Sequence, residues 1–366
     1  MNYQYDVLQK LCRMIGPTGF EKPVQDYFAE LMRPLTSRIY KDALGTCYAE
    51  MRGYHKLPKV MINAHADTIG FIVRYIGEKG FLYTVDLPAT EACDYRMLPG
   101  TDVVVCCRKK NKRITGQFVS TDVPWHLMED LKEHELARED IAIDIGAVSE
   151  TQARQHVDVG DIVTLAPNAR FCDVGKRFVG TNLDDRVGIF CLYRIAKALS
   201  RSKMKRRCTV IFVSTAQEES ESGAARVAAE NCNADIAITV DGALATDQVT
   251  SNADYVVAKE HGLICLDKGV ALARGLGVED DVFLCLEKIC RGRGLATRIP
   301  YQIEVNSIGA ENWQILKASG GIKTGLVSVP MRYVHTRTEM VSLKDVENVI
   351  ELVTLFCKKV SKGTFK

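Results

Sequence analysis

The sequence predicts an α/β fold: a mixed sheet flanked by helices, with a small β-barrel-like domain inserted into it. Three observations carry that expectation. An apolar strand, KVMINAHAD (Lys59 to Asp67), ends on polar residues, a block of short β-type runs fills the middle of the chain, and helices alternate with strands after Asp184. Together they divide the chain into an α/β domain, residues 1–71 and 173–366, and an inserted β-rich domain, residues 72–172.

Near the N-terminus, Thr18-Gly-Phe-Glu21 has the form of a helix capping box, with Pro23 in the first turn and apolar Val24, Tyr27, Phe28 and Leu31 at helical spacing. Between about Phe71 and Phe171 the texture changes to GFLYTVDL, DVVVCC, ITGQFVS, IAIDIGA and DIVTLA, separated by turn signals such as the basic run Arg108 to Arg113. Two helices are expected in this block, one around His126 to His134 and one after the capping box Ser149-x-x-Gln152. After Asp184 come an amphipathic helix carrying Val187, Cys191, Ile195 and Leu199, then strand TVIFVSTA, helix GAARVAAE, strands DIAITVD and GLVSVP, and a closing helix with Val346, Val349, Ile350 and Val353 on its core side.

The bulk composition excludes several classes of function. With 46% hydrophobic and 26% charged residues and a net charge of +2, the 366-residue chain has no electrostatic case for binding nucleic acid or an anionic membrane. No apolar run approaches the ~20 residues that span a bilayer. The start, MNYQYDVLQKLCRM, lacks the apolar core of a secretory signal. The 13 cysteines are scattered through apolar segments with no C-x-x-C pair, which fits buried free thiols in a reducing cytoplasm.

In open α/β sheets the chemistry gathers outside the carboxyl ends of the strands. There this chain places His65 and Asp67, the pair Glu218-Glu219, Asp241 and His335, with Asp184 just before a helix. Each alone has an ordinary explanation as a cap or a solvated polar group. Their recurrence at one crevice suggests ligands. His65, Asp184, Glu219, Asp241 and His335 give three ligands to each of two divalent ions if one carboxylate bridges, with an open position on each. Imidazole and carboxylate donors suit zinc, cobalt or manganese. Strand alternation turns Glu218 away from Glu219, leaving it free as a general base beside an activated water. Asp67, two residues from His65 and so on the same face, could orient a ligand from behind.

NAHADTIGF, TNLDDRVG, STAQEE, AITVD and RYVHT, in this order, resemble the M42 family of metallo-aminopeptidases, as do GPTGFEKPVQDYF and the landmarks of the β-rich insert. The resemblance implies that Asp184 bridges two ions, that Glu219 and His335 complete one site and His65 and Asp241 the other, and that Glu218 is the general base with Asp67 its support. It further implies peptide substrates cleaved at their N-terminal residue, and homo-oligomers, from a dimer to a tetrahedral dodecamer, built through the insert. The chain departs from the family pattern after Glu219, at Asp241-Gly-Ala, at Ser307-Ile-Gly-Ala and after His335, all where a substrate pocket is expected.

Two other readings stand beside this one: a two-metal hydrolase of another small amide, of the N-acyl amino acid deacylase type, and a non-catalytic scaffold relative. Arg337, two residues past His335, is placed to meet an acidic substrate side chain. His55, His126, His134, His156 and His261 show no ligand spacing and are expected to be structural or surface residues.

Overall fold

A computed structural model describes residues 3–53, 58–88, 93–122, 125–127, 136, 138–202, 208–220, 223–248, 253–292, 298–305 and 310–360. Strands β1 (Arg38–Lys41), β2 (Cys47–Met51) and β3 (Lys59–His65) open the main sheet. Then β4 (Gly70–Ile76), β5 (Leu82–Leu87), β6 (Asp102–Cys107), β7 (Lys112–Ser120), β8 (Ile141–Asp144) and β9 (Ile162–Leu165) close into a barrel in the order β4-β5-β8-β7-β6-β9. The chain returns to the main sheet through β10 (Ala169–Phe171) and β11 (Arg177–Gly180). It continues with β12 (Thr209–Thr215), β13 (Ile236–Leu244), β14 (Val270–Arg274), β15 (Tyr301–Val305), β16 (Lys323–Arg332) and β17 (Glu339–Ser342). Among the described residues this sheet has eleven strands, nine of them in the order β1-β2-β12-β3-β13-β16-β17-β11-β10, with β14 beside β16 and β15 at its edge. The expected mixed sheet with an inserted barrel is the observed fold.

The centre of the sheet is parallel: β12 with β3, β3 with β13, and β13 with β16. Strands buried on both faces need continuous apolar runs, and VMI of β3, TVIFV of β12 and IAITV of β13 supply them. One face packs under α1 (Asp6–Cys12), α2 (Lys22–Met32), α4 (Leu183–Ser200), α7 (Asp280–Cys290) and α9 (Leu343–Lys359); Val187, Cys191, Ile195, Val346, Val349 and Val353 all sit in that core. The other face carries α5 (Ala224–Cys232) and α8 (Asn312–Leu316), with Met61, Val213, Ala237, Ala228 and Ile315 between them. The barrel encloses its own core, including Phe71, Val105, Phe118, Ile143 and Val163. α3 (Glu150–Arg154) lies on the barrel, and α6 (Ala253–His261) follows β13 in the chain.

Two local expectations change. Thr18 does not cap α2: its hydroxyl donates to Asp67 Oδ2 at 3.0 Å, and Glu21 accepts from the Gly19 and Gln217 amides at 2.8 and 3.1 Å. A buried carboxylate demands donors, and that demand outranks a cap that water can replace. Ser149 does cap α3, accepting from the Gln152 amide, but the Gln152 side chain reaches Val148 instead of closing the box. Of the helix expected around His126 to His134, only a turn over Trp125–Leu127 falls among the described residues. His55, His134 and Ser307 to Gly309 lie outside them.

Candidate metal centre

The site forms at the carboxyl ends of β3 and β12, which stop level with each other at His65 and Thr215, while β13 runs on beside them. β13 does not stop at Asp241, as its sequence suggests; it continues to Leu244, paired with β16 through Met331. Its pairing with β3 ends at Asn63 and Thr239. Asp241, two residues beyond that last pair, is buried level with His65, the last residue of β3, where the two strands no longer pair.

Glu218 and Glu219 also sit differently from expectation. β12 ends at Thr215, Gln217 takes a left-handed φ of 57°, and the two glutamates occupy a 3₁₀ turn, so strand alternation does not separate them. Three consecutive amides fix this turn. Those of Glu218 and Glu219 donate to Asp67 Oδ1 and Oδ2 at 3.0 and 3.1 Å, and that of Gln217 donates to Glu21. Asp67 lies beyond the end of β3, and its backbone carbonyl is 3.1 Å from His65 Nδ1. It binds the His65 segment, the Thr18 segment and the glutamate turn together.

Asp184 is not an N-cap. It lies at the start of α4 with non-helical dihedrals (φ −79°, ψ 109°), and its carboxylate faces two imidazoles. Oδ1 is 3.3 Å from His65 Nε2 and Oδ2 is 3.6 Å from His335 Nε2. His335 Nε2 is also 3.2 Å from Glu219 Oε2, while His65 Nε2 is 3.9 Å from both Glu218 Oε2 and Asp241 Oδ1. The five residues expected as ligands, and Glu218, thus meet around two imidazole nitrogens joined by one carboxylate.

Sequence reasoning missed several acids here. His65, Asp185 and Asp241 offer ligand atoms within 4.8 Å of one another, a buried group able to hold a metal ion. Both Asp185 oxygens already accept backbone amides, from Gly188 at 2.9 Å and His65 at 3.3 Å, so Asp185 braces the site while Asp184 reaches both histidines. Glu339 accepts from the His335 amide at 2.9 Å and the Asp184 amide at 3.1 Å, tying two distant segments to one buried carboxylate. Glu311 accepts from Asn63 Nδ2 and Thr215 Oγ1, both at 2.7 Å. Only the Asp-Asp doublet gave any signal in the sequence; Glu339 and Glu311 stand in no motif.

The electrostatics suit a bound cation. Burial pushes Glu218, Glu219 and Asp241 above the usual carboxylate range, and neighbouring acids add to the push. Asp184 goes the other way: burial raises it, but the His65 hydrogen bond and both imidazole charges outweigh burial. For His335, burial favours the neutral ring, but its bond to Glu219 wins and moves it up to about 10. Glu219 Oε1 is buried without a partner. Crowded carboxylates, nitrogen and oxygen donors without a thiol, and an orphaned acceptor fit divalent ions. Arg337 does not face this site: its guanidinium donates to Asp102 Oδ2 at 2.6 Å and Ala166 O at 3.1 Å, and so joins the barrel to the loop of His335.

A mixed sheet that gathers histidines and carboxylates at its strand ends suits metal-assisted chemistry, and comparison with known proteins gives the class and the family. The sequence profile of the family described as M42 glutamyl aminopeptidase matches residues 45–352, and the chain belongs to that family of peptide hydrolases. It is 25% identical to the lysyl aminopeptidase of Pyrococcus furiosus over 370 residues, covering 99% of each chain. Its fold matches that of a TET aminopeptidase from a marine sediment archaeon of the Thaumarchaeota, with a TM-score of 0.87, 25% identity and 99% of both chains covered. It also matches the TET1 peptidase of Pyrococcus horikoshii, with a TM-score of 0.79, 24% identity and coverage of 97% and 99%.

Proposed function

We propose that the chain is a dinuclear metal-dependent aminopeptidase that removes N-terminal residues from peptides, with Glu218 as general base. The observation that carries the reading is the placement of Asp184 between His65 and His335, with Asp241 on one side and Glu219 on the other. His65, Asp241 and Asp184 would hold one ion, and His335, Glu219 and Asp184 the second. Zinc is favoured by this donor set, and cobalt or manganese would also suit it. When bound, the ions supply Lewis acidity to the scissile carbonyl and a lowered pKa for the attacking water.

The chain's own residues do the rest. Glu218 faces the crevice 3.9 Å from His65 Nε2, outside the bridging arrangement, where its Oε2 can take a proton from water and return it to the leaving amine. Burial holds Glu218 above the ordinary glutamate value, which suits a group that must both accept and give a proton near neutral pH. Asp67 fixes the Glu218 backbone and the His65 ring together, so that base and ligand move as one unit.

We further propose that residues 1–71 and 173–366 form the catalytic unit and residues 72–172 an oligomerisation module, which makes the protein a homo-oligomer. The Pyrococcus horikoshii TET1 peptidase, which shares the fold, can assemble into a tetrahedron or a large octahedral shell. Thirteen free cysteines, many of them buried, support a cytoplasmic setting, and no described helix is long and apolar enough to cross a membrane. The test is a panel of aminoacyl and N-acyl chromogenic substrates after reconstitution with zinc, cobalt or manganese, alongside metal analysis. Cleavage that requires a free α-amine supports the aminopeptidase. Cleavage of N-acyl substrates alone would make the enzyme a deacylase, and protein without metal or turnover would leave only a scaffold.

A further inference from the structure

The sheet face under α5 and α8 changes character just below the ligands. Its lower layers are apolar, with Met61, Val213 and Ala237. Toward the carboxyl ends the side chains on that face become Asn63, Thr215, Thr239 and Ser328, on four adjacent strands of the parallel centre. The register puts Thr215 level with His65 and Ser328 level with Asp241, with Asn63 and Thr239 level with each other and two residues below. That layer lies roughly 6.6 Å beneath the ligands. All four residues are buried, in the part of a sheet that ordinarily carries only apolar side chains.

Glu311 covers this floor. It is 3% exposed, and Oε2 takes both bonds offered to it, from Asn63 and Thr215, while Thr239 Oγ1 donates to Asn63 Oδ1 at 3.1 Å. Glu311 Oε1 and Ser328 Oγ remain buried without a partner. Buried polar atoms are nearly always paired, so the free Glu311 oxygen, on a carboxylate bonded to Thr215 level with His65, marks a place where a donor is expected. No cation among the described residues supplies it. Arg337 is bound to Asp102 and Ala166, and the buried Arg186 donates to Leu11 O and Gly16 O.

We propose that Glu311 is the specificity determinant for a cationic N-terminal side chain, so that the enzyme removes lysine and arginine and rejects glutamate and aspartate. The inference rests on the aminopeptidase reading. The four-carbon stem of lysine spans the step from the reacting carbonyl down to the polar layer, and its ammonium has a donor for the free oxygen of Glu311. An acidic side chain would meet Glu311 with no counter-charge.

The test measures kcat/KM for lysyl, arginyl, leucyl and glutamyl p-nitroanilides with the metal-reconstituted enzyme and its Glu311→Gln variant. The expected result is Lys and Arg above Leu, Glu undetectable, and a lysine-to-leucine ratio that falls about 10- to 100-fold in the variant, the range of a lost charged hydrogen bond. A preference for glutamyl substrates, or a ratio unchanged in Glu311→Gln, overturns the proposal. Calorimetry with lysine amide and norleucine amide separates this failure from failure of the aminopeptidase reading. An enzyme inert on every substrate that still binds lysine amide more tightly through Glu311 loses the reaction and keeps the pocket; equal binding of both amides overturns the pocket.

Discussion

The two halves of the proposed metal centre are built by different means. His65 ends a central strand between β12 and β13, its side chain is 3% exposed, and the Asp67 carbonyl and Asp184 flank its ring. His335 sits in the turn between β16 and β17 at a left-handed φ of 61°, with its side chain 33% exposed. Its backbone is held by Glu339, and its loop is held by Arg337 through the barrel. One half is fixed by the sheet itself, and the other by a buried carboxylate and a surface ion pair. The His335 half should therefore yield first, and without unfolding the protein.

Glu218 belongs to neither half, and its loss has the largest expected effect. Glu218→Gln keeps the shape and removes the proton acceptor, so turnover should fall by about 10²- to 10⁴-fold while metal content stays at the wild-type value. Wild-type turnover in that variant would remove Glu218 from its role. Next come the two organising acids. Asp67→Asn places an amide where two backbone N–H groups need an acceptor, so it should weaken metal binding in both halves and lower the melting temperature. Glu339→Gln should weaken the His335 side most, by about 10- to 100-fold, as removal of a ligand's support commonly does, with a smaller loss on the His65 side through the shared Asp184. Titration with zinc followed by metal analysis should then give one tight ion in Glu339→Gln. Two equally tight ions would erase the distinction between the halves.

Acidity sharpens the same contrast. His335 is moved up to about 10 by Glu219 in the metal-free protein. Its raised value means that the imidazolium–carboxylate pair stabilises the metal-free fold fully below the ordinary histidine value near ~6.5, and that this contribution is lost as pH rises through about 10. A divalent ion must displace that proton. Affinity on the His335 side should therefore rise about tenfold per pH unit from neutrality toward pH ~10. Calorimetry in buffers of different ionisation enthalpy counts the protons released, and pH-independent affinity would contradict the assignment.

Much of this was legible in the sequence, for reasons that can be stated. The central strands are readable because burial on both faces demands unbroken apolar runs, and the site residues because strand ends are where polar groups interrupt them. Length was not readable: nothing in DIAITVDGAL says that β13 outruns β3 by several residues, since register belongs to the neighbouring strand. The glutamate turn was misread for a similar reason, because amides pulled from β12 by Asp67 and Glu21 leave no mark on the sequence of β12. The edge strand β1 and its neighbour β2 carry mixed side chains and gave no period. Glu311 and Asn63 are invisible because their meaning depends on a contact between residues 248 positions apart.

The smallest effect is the most informative about the barrel. Arg337 joins Asp102 on β6 to the loop that carries His335, and Thr181 Oγ1 lies 3.2 Å from both the Arg337 and Ala166 carbonyls while accepting from the Asn168 amide at 3.0 Å. The ion pair is largely exposed, with side-chain exposures of 32% and 57%, so its direct worth is about 0.5 kcal/mol or less. Its position makes it more than a surface pair: it joins the barrel to the loop of His335, a proposed metal ligand. Arg337→Ala should leave the melting temperature nearly unchanged and weaken zinc on the His335 side a few-fold, with the His65 side unaffected. Asp102→Ala should do the same, and the double variant should do no more than either single one. Additive losses in that cycle would mean that the two side chains act separately and that the barrel does not steady His335 through this pair.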